Sequence, residues 1–338
     1  MMQGRHGTPI VDQTGSLWYT WAPACPDHAC RERGTRVIRR SLSRSPAALA
    51  GLLIVALAMG LAIVSIEFVT PREARDDVGA RSLLSRLLLT YGPNDVDREI
   101  KIAPSPPDAR HWLGTDHQQR DLLSRLLHGA RLSIQVGLFA EAIALLIGMA
   151  VGALAGFYGG RLDSCLMRAA DVLLALPLPI MAMAAIAVFE SPGIVLVFVV
   201  LGLLGWAGIA RLVRAQCLSV RALGYPEAAR ALGAGDLRLI ALHVLPNAAA
   251  PAIVAASVGV AGNILAEAWL SFLGLGAQPP AVSWGQMIVD AQGDLASRPW
   301  LCIFPGLALA LTVLGFVLLA DGLRDALDPK MKMATHIT

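Results

Sequence analysis

The chain has 338 residues, of which 55% are hydrophobic and 16% are charged, with a mean hydropathy of +0.59 and a formal net charge of +3. These values exclude a single soluble domain, because apolar runs of membrane-spanning length predict a polytopic helical membrane protein. The mild charge argues against a nucleic-acid partner, and five scattered cysteines form no disulfide framework. The lysines, Lys101, Lys330 and Lys332, do not form a Gly-Lys-Ser/Thr phosphate loop, so any ATP must be bound by another subunit.

Residues 1–45 form a polar stretch for which we predict an irregular cytoplasmic tail. No apolar region of a signal peptide follows the first residues. Two thiols and an imidazole lie close in sequence, but no fourth zinc ligand is evident, so we interpret Cys25, His28 and Cys30 as tail residues rather than a metal site. Clustered arginines precede the first apolar run and predict a cytoplasmic N-terminus by the positive-inside rule: Arg31, Arg33, Arg36, Arg39, Arg40 and Arg44.

Apolar runs divide the rest of the chain into six predicted spans. The predicted boundaries are 46–69 for the first span, 70–131 for an extracytoplasmic segment, 132–322 for a transmembrane core and 323–338 for a cytoplasmic tail. Within the core we predict spans at about 132–157, 166–189, 194–209, 248–272 and 301–319. Six crossings place both termini in the cytoplasm.

Small residues in the second span predict close helix packing, and prolines in the third span predict a kink. Gly148, Gly152 and Gly156 recur every four residues, a spacing that permits close helix packing in membranes. Pro177 and Pro179 predict a kink in the third span.

Two carboxylates lie inside predicted spans, Glu141 in the second and Glu267 in the fifth. Ionisable groups within a membrane are costly and usually functional, so both are candidates for the translocation pathway or its gate. Glu141 lies near the outer end of its predicted span. A side chain that only reaches the membrane interface is therefore the alternative interpretation.

A polar, alanine-rich segment, 225–247, separates the fourth and fifth predicted spans. Its beginning is typical of a helix start, because Pro226 suits the first turn and Glu227 suits the positive end of the helix dipole. Ala228 and Ala229 are strong helix formers. We therefore predict a short helix that begins near Glu227.

Gly233 allows a sharp change of direction after this helix, because glycine tolerates positive φ. A second short helix is predicted from about 236 to 244, ending before Pro246. The result is a helix–turn–helix exposed between two spans. Arg211, Arg214 and Arg221 precede it and again predict a cytoplasmic location. Such a shape suits docking into a groove on a soluble partner.

These residues carry a resemblance to a known family. Glu227-Ala228-Ala229, Gly233 four residues later and the closing Leu245-Pro246 resemble the EAA loop of ABC-importer permease subunits. The run 111–116 resembles the segment before the second span in the dipeptide/oligopeptide/nickel branch, although Gln119 replaces the usual glycine and His117 a common acidic residue. Further matches to this branch are the Arg168/Asp171 pair and the stretches 174–177, 267–276, 283–285 and 321–329.

The resemblance implies an all-α polytopic membrane protein with the type I ABC importer permease fold: six transmembrane helices and a cytoplasmic EAA coupling-helix loop. It implies no catalytic residue, metal ligand or cofactor in this chain, since partner ATPase subunits would bind ATP and Mg. The residues expected to couple the chain to those subunits are Glu227, Ala228, Ala229, Gly233, Asp236, His243, Leu245 and Pro246.

The implied assembly lies in the bacterial inner membrane. It contains a second homologous permease subunit, two ATP-binding subunits and an extracytoplasmic substrate-binding protein within a lipid bilayer, with no nucleic acid. The expected cargo is di- or oligopeptides; nickel chelates, glutathione and other small solutes are the alternatives. A secondary transporter would show internal repeats, which we do not find, and an intramembrane enzyme would need paired catalytic groups where only isolated Glu141 and Glu267 stand.

Overall fold

A computed structural model describes residues 8–11, 17–20, 46–64, 91–100, 103–189, 193–221, 229–231 and 233–327. Its helices are α1 (Pro46–Val64), α2 (Leu122–Tyr158), α3 (Gly160–Ala175), α4 (Leu178–Ile186), α5 (Ile194–Arg221), α6 (Asp236–Leu239), α7 (Leu245–Phe272), α8 (Trp284–Ala291) and α9 (Trp300–Leu327). A π-helical turn, Ile240–Val244, joins α6 to α7, and a 3₁₀ turn, Gln292–Asp294, follows α8.

A short hairpin lies within the tail that we predicted to be irregular. Strands β1 (Thr8–Val11) and β2 (Leu17–Thr20) pair antiparallel, with Thr8 opposite Thr20. The prediction is wrong at these residues because β-branched and aromatic residues favour strands even in a polar stretch. The Cys25–Cys30 cluster lies outside the described residues.

The pairing of α2 with α5 fixes the direction of the bundle. Gly148 and Gly156 of α2 lie against Ile209 and Cys217 of α5, so the two helices run parallel. We call the end where both helices finish, at Tyr158 and Arg221, the arginine end. The opposite end, which holds residues 91–100 and 103–121 and helix α8, is called the loop end.

Parallel packing of α2 and α5 requires the chain to return across the bundle between them. Five helices, α1, α2, α5, α7 and α9, are each long and apolar enough to cross a membrane, and α3 with α4 passes the same test as a bent pair. Since α2 ends at the arginine end and α5 begins at the loop end, this pair makes the return crossing. The six predicted crossings therefore have six candidate segments, with α1 beginning and α9 finishing at the arginine end.

The third span is broken rather than kinked. The axes of α3 and α4 meet at 90°. Leu176 is extended, with φ −105° and ψ 140°, because the residue before a proline avoids the helical region. Pro177 then precedes α4 as its N-cap residue. The predicted continuous span at 166–189 therefore needs correction: one proline ends one helix and starts another.

Helix α2 begins at Leu122, about ten residues before the predicted span at 132. Asp121 caps it, with its carboxylate accepting a hydrogen bond of 2.7 Å from the backbone N–H of Ser124. Arg125 and His128 made the first turns look like part of the preceding polar segment. At 37 residues the helix is about 55 Å long, well beyond a hydrocarbon core of about 30 Å, so it also builds the loop end.

Two other predicted spans also extend as helices beyond their apolar cores. Helix α5 continues to Arg221, twelve residues past the predicted end at 209, and α9 continues to Leu327 rather than 319. Hydropathy marks where lipid contact ends, whereas helical hydrogen bonding continues into the polar region. Arg211, Arg214 and Arg221 therefore lie on α5 and do not form a loop.

The predicted close packing at the glycines of α2 is confirmed. A Cβ at Gly152 would lie 2.5 Å from the carbonyl oxygen of Ala210 and 2.8 Å from Cβ of Val213. Backbone therefore meets backbone along the α2–α5 contact. Neither helix can shift there without separating the pair.

We expect Gly152→Ala to lower the thermal stability of the protein in detergent. The added methyl group meets a backbone oxygen that cannot rotate away, and such overpacking costs about 1–3 kcal/mol. Gly208→Ala on α5 is the matched control, because a Cβ there meets nothing within 4 Å. The control should be neutral or slightly stabilising in scanning fluorimetry. Equal melting temperatures for the two variants would contradict the packing.

Candidate functional site

The segment 225–247, which we call the EAA segment, turns at Gly233. This residue has φ +90°, and residues 229–231 before it are helical. The N–H of Ala234 donates to the carbonyl of Ala229 at 3.1 Å, and the N–H of Gly233 donates to that of Arg230 at 3.0 Å. This pair of bonds is the Schellman motif, in which glycine at positive φ ends a helix. The turn predicted at Gly233 is thus present.

The second half of the EAA segment does not end before Pro246, as predicted, but continues as a helix into α7. Val244 has helical φ −82° and ψ −57°, and the N–H of Leu245 donates to the carbonyl of Ile240, as in a π turn. Pro246 lies in the first turn of α7, where a missing N–H is tolerated. The wider π turn accommodates the proline, so the backbone stays helical from α6 through the π turn into α7.

One face of this second half is buried against the arginine end of the bundle. Leu239, Ile240 and Val244 have exposed fractions of 1%, 8% and 3%. They pack with side chains from both parallel helices, including Phe157 of α2 and Val213 of α5. The second half of the EAA segment is therefore held by the core.

The opposite face carries two leucines that the sequence analysis did not single out. Leu237 is 78% exposed and Leu242 is 58% exposed. Leu237 lies in α6, and Leu242 lies in the π turn that follows it. Both leucines are candidates for contact with a partner protein.

Arg230 joins the two halves of the EAA segment. Its Nη2 lies 3.2 Å from Oδ1 of Asp236, across the Gly233 turn. Its guanidinium carbon lies 5.4 Å from the centroid of the Phe157 ring, within cation–π range. Arg230 was absent from the predicted site because both contacts depend on the turn and on the end of α2, which lies far away in sequence.

Six of the eight predicted coupling residues lie among the described residues, in three groups. Ala229, Gly233 and Asp236 form or flank the turn, while Leu245 and Pro246 begin α7. His243 lies in the π-helical turn. Glu227 and Ala228 lie outside the described residues.

The arginines of α5 bind neighbouring helices. Arg214 forms a two-pronged ion pair with Asp163 of α3, with Nε–Oδ1 and Nη2–Oδ2 distances of 2.5 and 2.6 Å. Arg211 pairs with Asp171 of the same helix. Arg221 donates to the carbonyl oxygen of Gly156 at 3.1 Å. These contacts fasten α3 and the end of α2 to α5 beside the EAA segment.

Glu267 lies at the centre of a polar cluster at the loop end and has no exposed surface. Its carboxylate accepts hydrogen bonds from Ser271 at 2.7 Å and from Ser133 of α2 at 3.4 Å. Ser133 Oγ also accepts from the backbone N–H of Trp284 at 3.3 Å, and Ser271 Oγ lies 3.4 Å from Ser283 Oγ. The cluster therefore ties α7, α2 and the start of α8 together. Its role in the pathway stays a prediction.

Glu141 is buried between α2 and α7, with an exposed fraction of 6%. Its Oε2 accepts a hydrogen bond of 2.9 Å from the side-chain amide of Asn263, and Gly259 leaves the space that the carboxylate fills. It lies near the middle of the 37-residue α2 helix. The alternative in which its side chain only reaches the membrane interface stays open. A pathway or gating role for Glu141 remains a prediction.

A buried histidine organises the loop end. His111 is 1% exposed, with Nδ1 2.8 Å from Asp121 Oδ1 and Nε2 3.2 Å from Asp97 Oδ2. Its ring stacks on Tyr91, with centroids 4.6 Å apart. The backbone N–H of Glu99, followed by the His111 side chain, lowers the pKa of Asp97. The charge of Asp97 therefore adds stability above about pH 4, which is lost as the pH falls through the lowered pKa.

We expect His111→Leu to loosen the loop end, because the carboxylates of Asp97 and Asp121 would lose the ring nitrogens that lie within hydrogen-bond distance of them. Removing a hydrogen bond to a buried charged group costs about 1.5–3 kcal/mol. His117→Leu is the matched control, since His117 is 41% exposed and pairs with Asp294 at the surface. Limited proteolysis should cut the His111 variant faster than the wild type and the control. Equal cleavage of all three would contradict the structural role of His111.

The bundle and the broken third crossing define a multi-pass helical membrane protein, with a helix–turn–helix between two of its candidate crossings. The chain belongs to the family of binding-protein-dependent transport system inner membrane components, whose family model matches residues 148–333. It is therefore a permease subunit of an ABC importer in the inner membrane, which confirms the family prediction and the all-α fold class.

Curated relatives cover most of the chain. The glutathione transport system permease protein GsiD of Pectobacterium atrosepticum is 44% identical over 226 residues, covering 67% of this chain and 75% of its own. The dipeptide transport system permease protein DppC of Alkalihalophilus pseudofirmus is 44% identical over 226 residues, covering 67% and 74%. The oligopeptide transport system permease protein OppC of Bacillus subtilis is 37% identical over 285 residues, covering 84% and 86%.

Proposed function

We propose that this chain forms half of the translocation path of an ATP-driven importer for di- or oligopeptides, and that it carries no catalytic site of its own. The observation that supports it most is the EAA segment, which is packed on the core through one face and presents Leu237 and Leu242 on the other. An exposed apolar face beside arginines suits a groove on a soluble ATP-binding subunit.

In this assembly the arginine end faces the cytoplasm. Arg211, Arg214, Arg221, Arg230 and Arg238 all lie at this end, and excess arginine marks the cytoplasmic side. Both chain termini would then be cytoplasmic, and the loop end would face the extracytoplasmic binding protein. A second, homologous permease subunit completes the path, and two ATP-binding subunits hold ATP and Mg.

Coupling follows from the continuity of α6, the π turn and α7. When the ATP-binding subunits close, the groove that holds Leu237 and Leu242 moves, and α6 moves with it. Leu239 and Ile240 are packed into the core between α2 and α5, so this movement tilts the crossings as a unit. Tightly packed helices transmit such displacements because they cannot deform continuously.

The cargo proposal rests on what the relatives are named for, which is the transport of dipeptides, oligopeptides and glutathione. All three are peptide-like solutes with free charged ends. Glutathione is therefore the second candidate. In either case the binding protein would supply much of the selectivity.

The test is purification of the complex with its neighbouring subunits, followed by ATP hydrolysis with and without the loaded binding protein. Dipeptides, tripeptides, oligopeptides, glutathione and nickel chelates form the panel. Stimulation by peptides supports the proposal, and stimulation by glutathione alone narrows the cargo to that tripeptide. Stimulation by nickel chelates alone would overturn the peptide proposal and keep the importer.

A further inference from the structure

Arg230 is a solvent-accessible side chain held by two directional contacts. Its side chain is 57% exposed, yet it bridges Asp236 on α6 and the ring of Phe157 on α2. An arginine that does not hold another part of the protein in place would leave its guanidinium group in water. Here the group is aimed back at the bundle, so it fastens the first half of the EAA segment to a helix with which that segment has no chain connection.

Phe157 is a firm anchor for this contact. It is the penultimate residue of α2, is 6% exposed, and packs in the same cluster as Leu239, Ile240 and Val244. Tyr158 meets its ring edge-on, with centroids 5.3 Å apart. The ring face under Arg230 is thus held in place, which favours a cation–π contact.

Helix α2 links this anchor to the opposite end of the molecule. It is continuous from Leu122 to Tyr158. Near its beginning, Asp121 holds His111, and Ser133 joins Glu267 to the N–H of Trp284. Because α2 is unbroken, a displacement of Phe157 can be transmitted along the helix to the loop end.

We propose that Arg230 is a positioning residue that fastens the EAA segment to α2, so that movement of the segment reaches the loop end through α2 as well as through α5 and α7. This inference rests on the proposed importer function. It adds a second route of coupling, which begins at a side-chain contact rather than at a chain connection.

The test uses the whole complex, reconstituted with its partner subunits and loaded binding protein. The chain carries Trp112→Cys as a reporter in a cysteine-free background, since Trp112 is 55% exposed at the loop end. Two quantities are measured: the ratio of stimulated to basal ATP hydrolysis, and the change in maleimide labelling of the reporter when ATP and vanadate are added. The labelling change reports movement at the loop end independently of uptake.

Arg230→Ala should lower the stimulation ratio about fivefold, the combined size of one exposed cation–π contact and one exposed ion pair. It should also abolish most of the labelling change while the ATP-binding subunits still co-purify. Arg230→Lys should restore part of both, because it keeps the charge. Phe157→Leu removes the cation–π contact but keeps the ion pair with Asp236, so it should lower both quantities in the same direction and to a smaller extent than Arg230→Ala. Arg161→Ala, at another exposed arginine near the same end, is the control and should behave as the wild type.

The double variant Arg230→Ala with Phe157→Leu shows whether the two residues act through their contact with each other or independently. If Phe157 acts only through its contact with Arg230, the double variant loses no more than Arg230→Ala alone. Additive losses, or normal stimulation and labelling in both single variants, would overturn the inference. Should Arg230→Ala fail to assemble, Phe157→Leu tests the same contact from α2. A wild-type complex that does not assemble or respond to the binding protein would instead refute the proposed function.

Discussion

Gly233→Val should abolish ATP-driven uptake while the protein stays inserted in the membrane. Gly233 has φ +90°, where a β-branched residue is strongly disfavoured, at a cost of about 1–3 kcal/mol. The two backbone hydrogen bonds that close the turn are each worth about 0.5–1.5 kcal/mol, so the turn opens. Arg230 and Asp236 then separate, and the exposed face of α6 loses its orientation.

The effect at Gly233 comes from backbone conformation alone, because a Cβ there meets nothing within 4 Å. Gly235→Ala is the matched control: it lies two residues away, has φ −72° and is equally uncrowded. Gly233→Asn should keep part of the activity, since asparagine tolerates positive φ. Uptake in vesicles is measured beside membrane content of the chain. Normal uptake by the valine variant would contradict a role of this turn in coupling ATP hydrolysis to transport.

Glu267→Ala should produce the largest loss of stability among the changes considered. The carboxylate accepts hydrogen bonds from Ser133 and Ser271, and it has no contact with solvent. Its removal leaves buried hydroxyls without their acceptor and opens a cavity, at a combined cost on the order of 3 kcal/mol. Because Ser133 also holds the N–H of Trp284, α8 should loosen from the bundle at the loop end.

Two comparisons separate this stability effect from a pathway role. Glu267→Gln keeps an acceptor oxygen and should recover most of the stability; if transport fails even so, the ionisable group itself is needed. Ser257→Ala, on the same helix, removes only a bond from an exposed hydroxyl to the carbonyl of Ile253 and should change the melting temperature little. A Glu267→Ala protein as stable as the wild type would contradict the anchoring role.

Local chemistry made part of the site predictable from sequence. A glycine after an alanine-rich helix predicts a reversal wherever it occurs, so the turn at Gly233 was foreseen. The spacing of Gly148, Gly152 and Gly156 likewise predicts a close helix contact, although not that α5 is the partner. Apolar runs fixed the number of crossings, because the bilayer imposes their length.

The missed features depend on contacts between distant parts of the chain. The break at Leu176–Pro177 is accompanied by packing of α4 on α5 and α7, and sequence alone predicts only a proline kink. The helix through Val244 and Pro246 persists because a buried face holds it against the core. In the sequence, nothing distinguishes Arg230 from other exposed arginines. Only in the folded chain does the turn at Gly233 place it beside Asp236 and the end of α2.

The most direct measurement places the photo-cross-linking amino acid p-benzoylphenylalanine at position 237, in cells that co-express the partner subunits. Leu237 is 78% exposed on the face proposed to enter the ATP-binding subunit. Position 112, exposed at the loop end, is the control. The account predicts a cross-link to the ATP-binding subunit from position 237 and none from position 112. A cross-link to that subunit from position 112, with none from position 237, would contradict both the orientation and the coupling surface.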